Sequence, residues 1–281
     1  MADTAQNLIA AAQAAGYAGL ARRQLMQCFL AGVQNQVVEI ATAGDLLYLT
    51  DFLFPNATSI IATDSNVEGL VLERVGGSFT SFEAPNLATV DLGNAFGYGI
   101  ELLDCDTLIS AGFPALITNG SFFFVDVNAL LGSISCPLMQ TCDTVEITNN
   151  PSLASLSLPS LTQLAGGTQY FSIQSNASLV SFSMDSFGSF ATVNSLDIKS
   201  NPSLTTVSIP MVLPRNGCDM VFTNNALSAE SVNHILSRGV ANAAYTSGFM
   251  NLSGGTNAAP TGQGITDKNT LVARGCTITT N

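Results

Sequence analysis

The sequence predicts a mainly β protein, a right-handed parallel β-solenoid closed by helices at both ends. Apolar residues recur in pairs with one residue between them, a small polar residue follows each pair at a fixed offset, and helical apolar spacing is confined to the ends. We therefore expect a helical cap or docking segment at 1–34, solenoid repeats at 35–225 in coils of about 22–30 residues, and an α/β cap at 226–281.

The composition is acidic and poor in charge. The 281 residues include 20 acidic and 8 basic side chains, a formal net charge of −12, while 47% of residues are hydrophobic and 10% are charged. Such a surface repels phosphate groups, so we expect no binding to nucleic acid or to an anionic membrane. No apolar run reaches the ~18 residues that a membrane-spanning helix needs.

The N-terminus and the cysteines favour folding in a reducing compartment. Residues 1–9 lack a basic stretch and include Asp3, which makes a poor secretory signal, so we expect assembly in the cytoplasm. The six cysteines lack the close pairing of zinc or redox sites. We therefore expect them to be buried thiols.

The repeat is clearest in three units, Asn150-Pro-Ser-Leu153, Asn176-Ala-Ser-Leu179 and Asn201-Pro-Ser-Leu204, whose asparagines lie 26 and 25 residues apart. An apolar pair precedes each asparagine and another follows it. The preceding pairs are Val145/Ile147, Phe171/Ile173 and Leu196/Ile198, and the following pairs are Leu156/Leu158, Phe182/Met184 and Val207/Ile209. Each pair predicts a short strand with alternate side chains pointing inward, so each unit contributes two strands to one coil.

The same template extends to both sides of these units. We predict a structural ladder of one residue per coil, formed by Cys105, Asn128, Asn150, Asn176, Asn201 and Asn225. Each lies at a bend, where a buried side-chain amide can pair with backbone groups that no strand reaches. A degenerate copy at Leu70, Leu72 and Val75 precedes the ladder, and residues 36–66 predict one or two less regular coils.

Helices are predicted at both ends, because terminal coils otherwise expose core and unpaired strand edges. At the N-terminus, Thr4 is a candidate N-cap, and a second helix is expected to end near Gly32. At the C-terminus, Ser228 is the expected N-cap of a helix. This helix is predicted to have Glu230 in its first turn and Val232, Ile235 and Leu236 on its inner face. It is followed by a predicted strand at 250–252, a helix at 266–274 that ends at Gly275, and a final strand from Cys276.

These residues resemble known repeat proteins. The unit from Asn150 to Leu161 is similar to the receptor L-domain and its fungal cell-wall relatives, and Ile100 to Leu108 is similar to cysteine-containing leucine-rich repeats. The closing stretch, 252–281, resembles the terminal cap of leucine-rich-repeat-like proteins of environmental bacteria and their phages, although many of those have tryptophan in place of Cys276. The resemblance implies a leucine-rich-repeat-like fold and a virion or surface role.

Few residues suggest a catalytic or metal-binding site. His234 is expected on the polar side of its helix, with no nucleophile placed near it. Asp104 and Asp106, with Glu101, could form a calcium or glycosidase site, but we expect them to face solvent beside the ladder. Glu101, Glu146 and Asp197 share one outward offset, as in carbohydrate-active β-helix enzymes. At the repeats between them the same position holds Phe124 and Ser172, and at the repeat after them it holds Val221, so no two of these acids are on adjacent repeats. The chain also has no Trp and only five Tyr, which leaves few aromatic side chains for stacking on sugars.

The expected function is that of a non-enzymatic structural or binding repeat protein presenting a flat β-face to a protein partner. The first interpretation is a phage or phage-like virion component, such as a decoration, tail or attachment protein, exposed after cytoplasmic assembly. The alternative is a bacterial surface adhesin, and a carbohydrate-active β-helix enzyme ranks third. No cofactor is expected, and a homo-oligomer is compatible with this interpretation.

Overall fold

A computed structural model describes residues 99–164, 169–187, 193–210 and 218–281, together with short segments between residues 37 and 90. In these residues the protein is mainly β, with parallel strands and two helices. The predicted N-terminal helices at 1–34 lie outside the described residues.

Most strands are two to four residues long. In chain order the first are β1 (Val37–Ile40), β2 (Leu47–Thr50), β3 (Leu53–Phe54), β4 (Ser59–Ala62), β5 (Asn66–Val67), β6 (Leu70–Glu73), β7 (Gly76–Gly77), β8 (Ser81–Glu83), β9 (Thr89–Val90), β10 (Ile100–Leu103), β11 (Ser110–Gly112) and β12 (Thr118–Asp126). The others are β13 (Ser133–Ser135), β14 (Thr141–Thr148), β15 (Ser155–Ser157), β16 (Gln163–Leu164), β17 (Gln169–Gln174), β18 (Ser181–Ser183), β19 (Val193–Lys199), β20 (Thr206–Ser208), β21 (Asp219–Val221), β22 (Phe249–Leu252) and β23 (Thr277–Thr280).

Two sheets organise these strands. The long sheet follows the order β2-β6-β10-β12-β14-β17-β19-β21-β22-β23, with β5, β9 and β16 attached beside it. The short sheet follows the order β1-β4-β8-β11-β13-β15, and β18 and β20 form a separate pair. From β10 to β15 the chain passes alternately from one sheet to the other, and each strand pairs in parallel with its counterpart one repeat later.

The register of the long sheet aligns the first member of each predicted apolar pair. Ile100 pairs with Phe123, and the row continues through Val145, Phe171, Leu196 and Met220. All six side chains are fully buried. They form one core row because alternate residues of a strand point to the same side.

The second apolar pairs form an equivalent row on the short sheet. Phe82, Ala111, Ile134 and Leu156 are aligned by parallel pairing, and Phe182 is aligned with Val207. The two rows meet inside the molecule, where the ring centroids of Phe171 and Phe182 lie 5.7 Å apart. A single apolar core therefore lies between the two sheets.

The less regular segment before residue 70 is also built from parallel strands. Val38 pairs with Ile60 from β1 to β4, and Leu47 pairs with Leu70 from β2 to β6. The strands β1, β2, β4 and β5 thus join the same two sheets as the clear repeats, while β3 pairs with β7 in a separate two-stranded sheet.

The short sheet is interrupted between β15 and β18. Where neighbouring short strands pair, the backbone N–H just after one strand donates to a carbonyl of the next repeat. Cys136 N donates to Ser157 O at 3.0 Å, and Met184 N donates to Ser208 O at 3.0 Å. Among the described residues, no corresponding bond joins Leu158 to Ser183. The sheet is therefore open at this one repeat.

Helix α1 (Ala229–Ala241) follows the repeats, as predicted from Ser228. The Ser228 side chain accepts a hydrogen bond from Ser231 N, and Val232, Ile235 and Leu236 are buried. Ser231 bonds the edge strand β20 twice, since its Oγ donates to Val207 O at 3.1 Å and accepts from Val207 N at 2.8 Å. The helix thus supplies partners to backbone groups at a strand edge.

Helix α2 (Gln263–Ala273) begins three residues before the predicted start. Gly264, a poor helix former, lies in its first turn because the helix packs closely on α1. A Cβ atom at Gly264 would lie 1.9 Å from Asn233 Oδ1. Gly275 follows the helix with a φ of +89°, as the helix-ending glycine predicts.

The five described cysteines are buried, and none of them forms a disulfide within the described residues. Burial raises the pKa of the Cys142 thiol to about 12, and it raises the pKa of Cys136 as well. Neutral thiols at these positions act as small apolar side chains. The sixth cysteine, Cys28, lies outside the described residues.

Neither helix in the described part of the chain is long and apolar enough to cross a membrane.

Candidate binding face on the long sheet

The predicted ladder residues lie one above another, fully or almost fully buried. Each side-chain Oδ1 accepts the backbone N–H of the ladder residue one repeat earlier. These bonds are Cys105 N to Asn128 at 2.9 Å, Asn128 N to Asn150 at 3.1 Å, Asn150 N to Asn176 at 3.2 Å, Asn176 N to Asn201 at 2.9 Å and Asn201 N to Asn225 at 2.9 Å. The stacked amides satisfy backbone groups at the bend that strand pairing does not reach.

The side-chain amide nitrogens of the ladder asparagines also bond to the preceding repeat. Each Nδ2 donates to a strand carbonyl of the preceding repeat, as Asn128 does to Leu102 O at 2.9 Å and Asn225 does to Ile198 O at 2.7 Å. Cys105 has no such amide, and its thiol lies 3.6 Å from Leu72 O. The cysteine therefore occupies a ladder position with a weaker donor.

A further asparagine, Asn257, makes the same kind of hydrogen bonds as the ladder residues but was not predicted from the sequence. Its Oδ1 accepts from Leu227 N at 2.9 Å, and its Nδ2 donates to Phe222 O at 2.8 Å. It was missed because helix α1 intervenes, so the spacing from Asn225 exceeds that of the earlier repeats.

The residue before each ladder position has left-handed backbone geometry. These residues and their φ angles are Asp104 (50°), Val127 (57°), Asn149 (55°), Ser175 (56°), Ser200 (59°) and Asn224 (58°), and Arg74 (50°) lies at the degenerate repeat. The sequence analysis missed this feature because the residue types differ. Val127 stands out, since a β-branched side chain is strained in this region.

We expect Val127→Asn to stabilise the protein by about 1 kcal/mol, because asparagine tolerates left-handed geometry and Val127, 46% exposed, gives up little packing. The backbone bond from Val127 N to Thr148 O at 3.3 Å is unaffected by the exchange. Chemical denaturation measures the change, with Val180→Asn, at an exposed position of ordinary φ, as the control. Equal effects of the two substitutions would contradict strain at Val127.

The outward side of the long sheet aligns the residues between the apolar pairs. Glu101 pairs with Phe124, Phe124 with Glu146, Glu146 with Ser172, and Ser172 with Asp197. The carboxylates that share one sequence offset thus lie in one row, with Phe124 between the first two. No two of these acids are direct cross-strand neighbours.

Aromatic side chains accompany this row. Phe122 and Tyr170 are each 46% exposed, although both are large and apolar. We name the surface formed by Glu101, Phe122, Phe124, Glu146, Tyr170 and Asp197 the acidic–aromatic face. Exposed aromatic residues in a cluster are typical of interaction surfaces.

Two shallow depressions flank Glu146. One is lined by Glu101, Phe122 and Phe124 together with Thr144 and Glu146, and the other by Glu146, Tyr170 and Asp197 with their polar neighbours. Each has a volume of about 180 Å³. Glu146 belongs to both depressions, so one carboxylate can contact a group placed in either.

Burial and neighbouring acids disfavour the charged form of two carboxylates of this face. Burial raises the pKa of Glu101, and Glu73 raises it further, although a backbone hydrogen bond from Gly99 opposes them. Burial likewise raises the pKa of Glu146, with Asp126 adding to the effect. A positive charge at this face would relieve both the repulsion and the cost of burying the carboxylates.

The basic residues near the face are few and close to acids. The Nζ atom of Lys199 lies 3.1 Å from Asp197 Oδ2, and Arg74 contacts Glu73. The face therefore stays negative overall, which suits a basic ligand.

The other residues considered from sequence lie elsewhere. Asp104 and Asp106 are exposed at the bend beside buried Cys105. Within the described segments, no group of three or more His, Cys, Asp or Glu side chains could hold a metal ion.

His234, expected on the polar side of its helix, is half-buried and faces the edge strand β20. Its Nε2 is 3.2 Å from Ile209 O and 3.4 Å from Ser208 Oγ. Helix α1 covers the edge strand β20, whose backbone groups need polar partners, so Ser231 and His234 turn toward the strand.

Comparisons with models of protein families, with characterised proteins and with solved structures find no match for this chain.

Proposed function

We propose that this protein is a non-enzymatic binding or structural repeat protein that docks a basic protein partner on the acidic–aromatic face. The observation that supports the proposal most directly is the pair of depressions on either side of Glu146, each walled by an exposed aromatic ring and by carboxylates.

The chemistry of the depressions favours lysine or arginine side chains. A volume of about 180 Å³ suits one long side chain rather than a small-molecule substrate, since ligand pockets usually exceed about 300 Å³. An aliphatic stem can pack on Phe122 or Tyr170 while its cationic head reaches Glu146. A protein surface with two basic side chains would fill both depressions at once.

The proposed architecture favours binding at such a face. We take the parallel sheets, the one-residue-per-repeat ladder and the helix on strand β20 as parts of a leucine-rich-repeat-like, right-handed β-solenoid with capped ends. Its outward face is held by paired strands and buried ladder amides. A rigid surface loses little conformational entropy when a partner binds.

The partner class we propose is a virion or lattice protein. This part rests on the resemblance of residues 252–281 to the terminal caps of phage and bacterial repeat proteins. Virion lattices join proteins through repeated contacts, which a regular β-face suits. Co-purification of the chain with phage particles, detected by mass spectrometry, is the expected result.

Binding of a synthetic lysine-rich peptide, measured by calorimetry, tests the docking face. We expect Glu146→Lys to weaken binding about tenfold or more, because it replaces the shared carboxylate with a like charge. Glu146→Gln should weaken it less. Binding should also weaken with added salt, and as the pH falls through the raised pKa of Glu146, since protonation removes the negative charge.

Asp106→Lys is the matched control, because it makes the same charge change at an exposed bend outside the face. Equal losses in Asp106→Lys and Glu146→Lys would show that only net charge matters and would overturn the proposed face. Turnover of any polysaccharide in a broad screen would overturn the non-enzymatic proposal.

A further inference from the structure

The interruption of the short sheet opens a polar cleft between β15 and β18. The cleft has a volume of about 330 Å³, at the lower end of the range for ligand pockets. It belongs to a different sheet from the acidic–aromatic face. Its walls combine residues 156–159 and 181–186, in and just after β15 and β18, with Thr206 and Ser208 from β20.

Backbone groups in the cleft lack the partners that they have at other repeats. Ser155 and Ser157 pair toward β13, so by the alternation of a parallel ladder the Leu156 N–H and C=O point toward β18. In the described residues neither these groups nor Leu158 N bond to β18. They remain available to a ligand that can both donate and accept hydrogen bonds.

The floor of the cleft is apolar. Leu156 belongs to the inward row, where Ala111, Ile134 and Val207 are almost completely buried. Leu156 is only partly buried, because the neighbouring strand does not cover it. A partly exposed apolar side chain with polar groups around it suits a ligand that has a small apolar face and a polar rim.

One carboxylate is fixed at the rim. Asp185 accepts hydrogen bonds from Ser208 Oγ at 2.6 Å and from Ser183 Oγ at 2.9 Å. The Ser208 hydrogen bond lowers the pKa of Asp185, and Ser183, His234 and Arg238 contribute in the same direction, while burial opposes them. The carboxylate is therefore ionised at neutral pH, and each oxygen keeps a lone pair for another donor.

We infer that this cleft binds a neutral saccharide unit, with its C–H face on Leu156 and its hydroxyls bonded to Asp185 and to the unpaired backbone groups. A metal cation is disfavoured because His234 and Arg238 lie near the carboxylate and the serine hydroxyls already donate to it. The spacing disfavours a peptide strand inserted along the whole cleft, because some Cα atoms of β15 and β18 lie within 8 Å of each other, whereas a strand between them needs about 9.6 Å.

Saturation-transfer NMR with methyl glycosides of the common neutral hexoses, deoxyhexoses and N-acetylhexosamines, each at about 10 mM, tests this inference because single sugars bind with millimolar affinity. We expect transfer to at least one glycoside and a fivefold or greater weakening, roughly 1 kcal/mol, in Asp185→Asn. Amide exchange at Leu158 should slow when that glycoside is added, while exchange at Cys136, in an intact rung, stays unchanged.

Ser183→Ala and Ser135→Ala form a matched pair, because Ser135 has the equivalent strand position at a closed rung. Only Ser183→Ala should weaken glycoside binding. No transfer to any glycoside, or transfer that Asp185→Asn and Ser183→Ala leave intact, would overturn the inference. Neither result bears on the docking proposal, since the lysine-rich peptide binds a different sheet.

Discussion

Asn201→Leu is expected to lower the free energy of unfolding by about 2–4 kcal/mol. The Asn201 side chain is fully buried and makes four hydrogen bonds. Leucine is similar in size but leaves Asn176 N–H and Ile173 C=O without their partner, and a buried unsatisfied group costs about 1–3 kcal/mol. Chemical denaturation monitored by circular dichroism measures the loss.

Two further variants separate the ladder from general effects of substitution. Ser203→Leu lies in the exposed turn that follows Asn201 and should change stability by less than about 0.5 kcal/mol. Asn201→Cys should cost less than Asn201→Leu, because Cys105 already occupies a ladder position and its thiol lies near two carbonyls. A loss below about 0.5 kcal/mol in Asn201→Leu would show that these amides do not support the repeats.

The sequence contained most of the repeat geometry because that geometry follows from periodicity. Inward rows such as Ile100–Phe123–Val145 could be predicted from alternate apolar residues at a constant offset. The outward alignment of Glu101, Phe124 and Glu146 followed from the same offsets. The function of that row could not be predicted, because the exposure of Phe122 and Tyr170 depends on the neighbouring strands.

The features that sequence analysis missed depend on contacts rather than on pattern. Leu156 and Phe182 match the template as well as their counterparts do, yet strands β15 and β18 do not pair. His234 turns toward Ile209 because of where α1 lies, which helical periodicity does not encode. The open cleft and the covered strand edge therefore became visible only in three dimensions.

Gly99→Ala is expected to destabilise the protein by about 3 kcal/mol or more, at the upper end of overpacking effects. Gly99 is buried immediately before β10, where a Cβ atom would lie 2.0 Å from Phe122 O and 2.6 Å from Phe122 N. Both contacts are with backbone of the paired strand β12, so no side-chain rotation relieves them. Gly99 O also accepts from Leu70 N at 2.8 Å, so a shift of Gly99 strains the pairing with the preceding repeat.

Gly112→Ala in β11 is the matched control. A Cβ atom there meets only the Glu83 side chain, at 3.8 Å, which is an ordinary contact. Because alanine restricts the unfolded chain more than glycine does, we expect this variant to be neutral or to gain up to about 1 kcal/mol. Urea denaturation of both variants compares them directly. Free energies of unfolding that differ by less than about 0.5 kcal/mol between Gly99→Ala and Gly112→Ala would contradict the prediction. They would mean that the backbone of β12 shifts easily at Phe122, so the close approach of the two repeats does not constrain the fold.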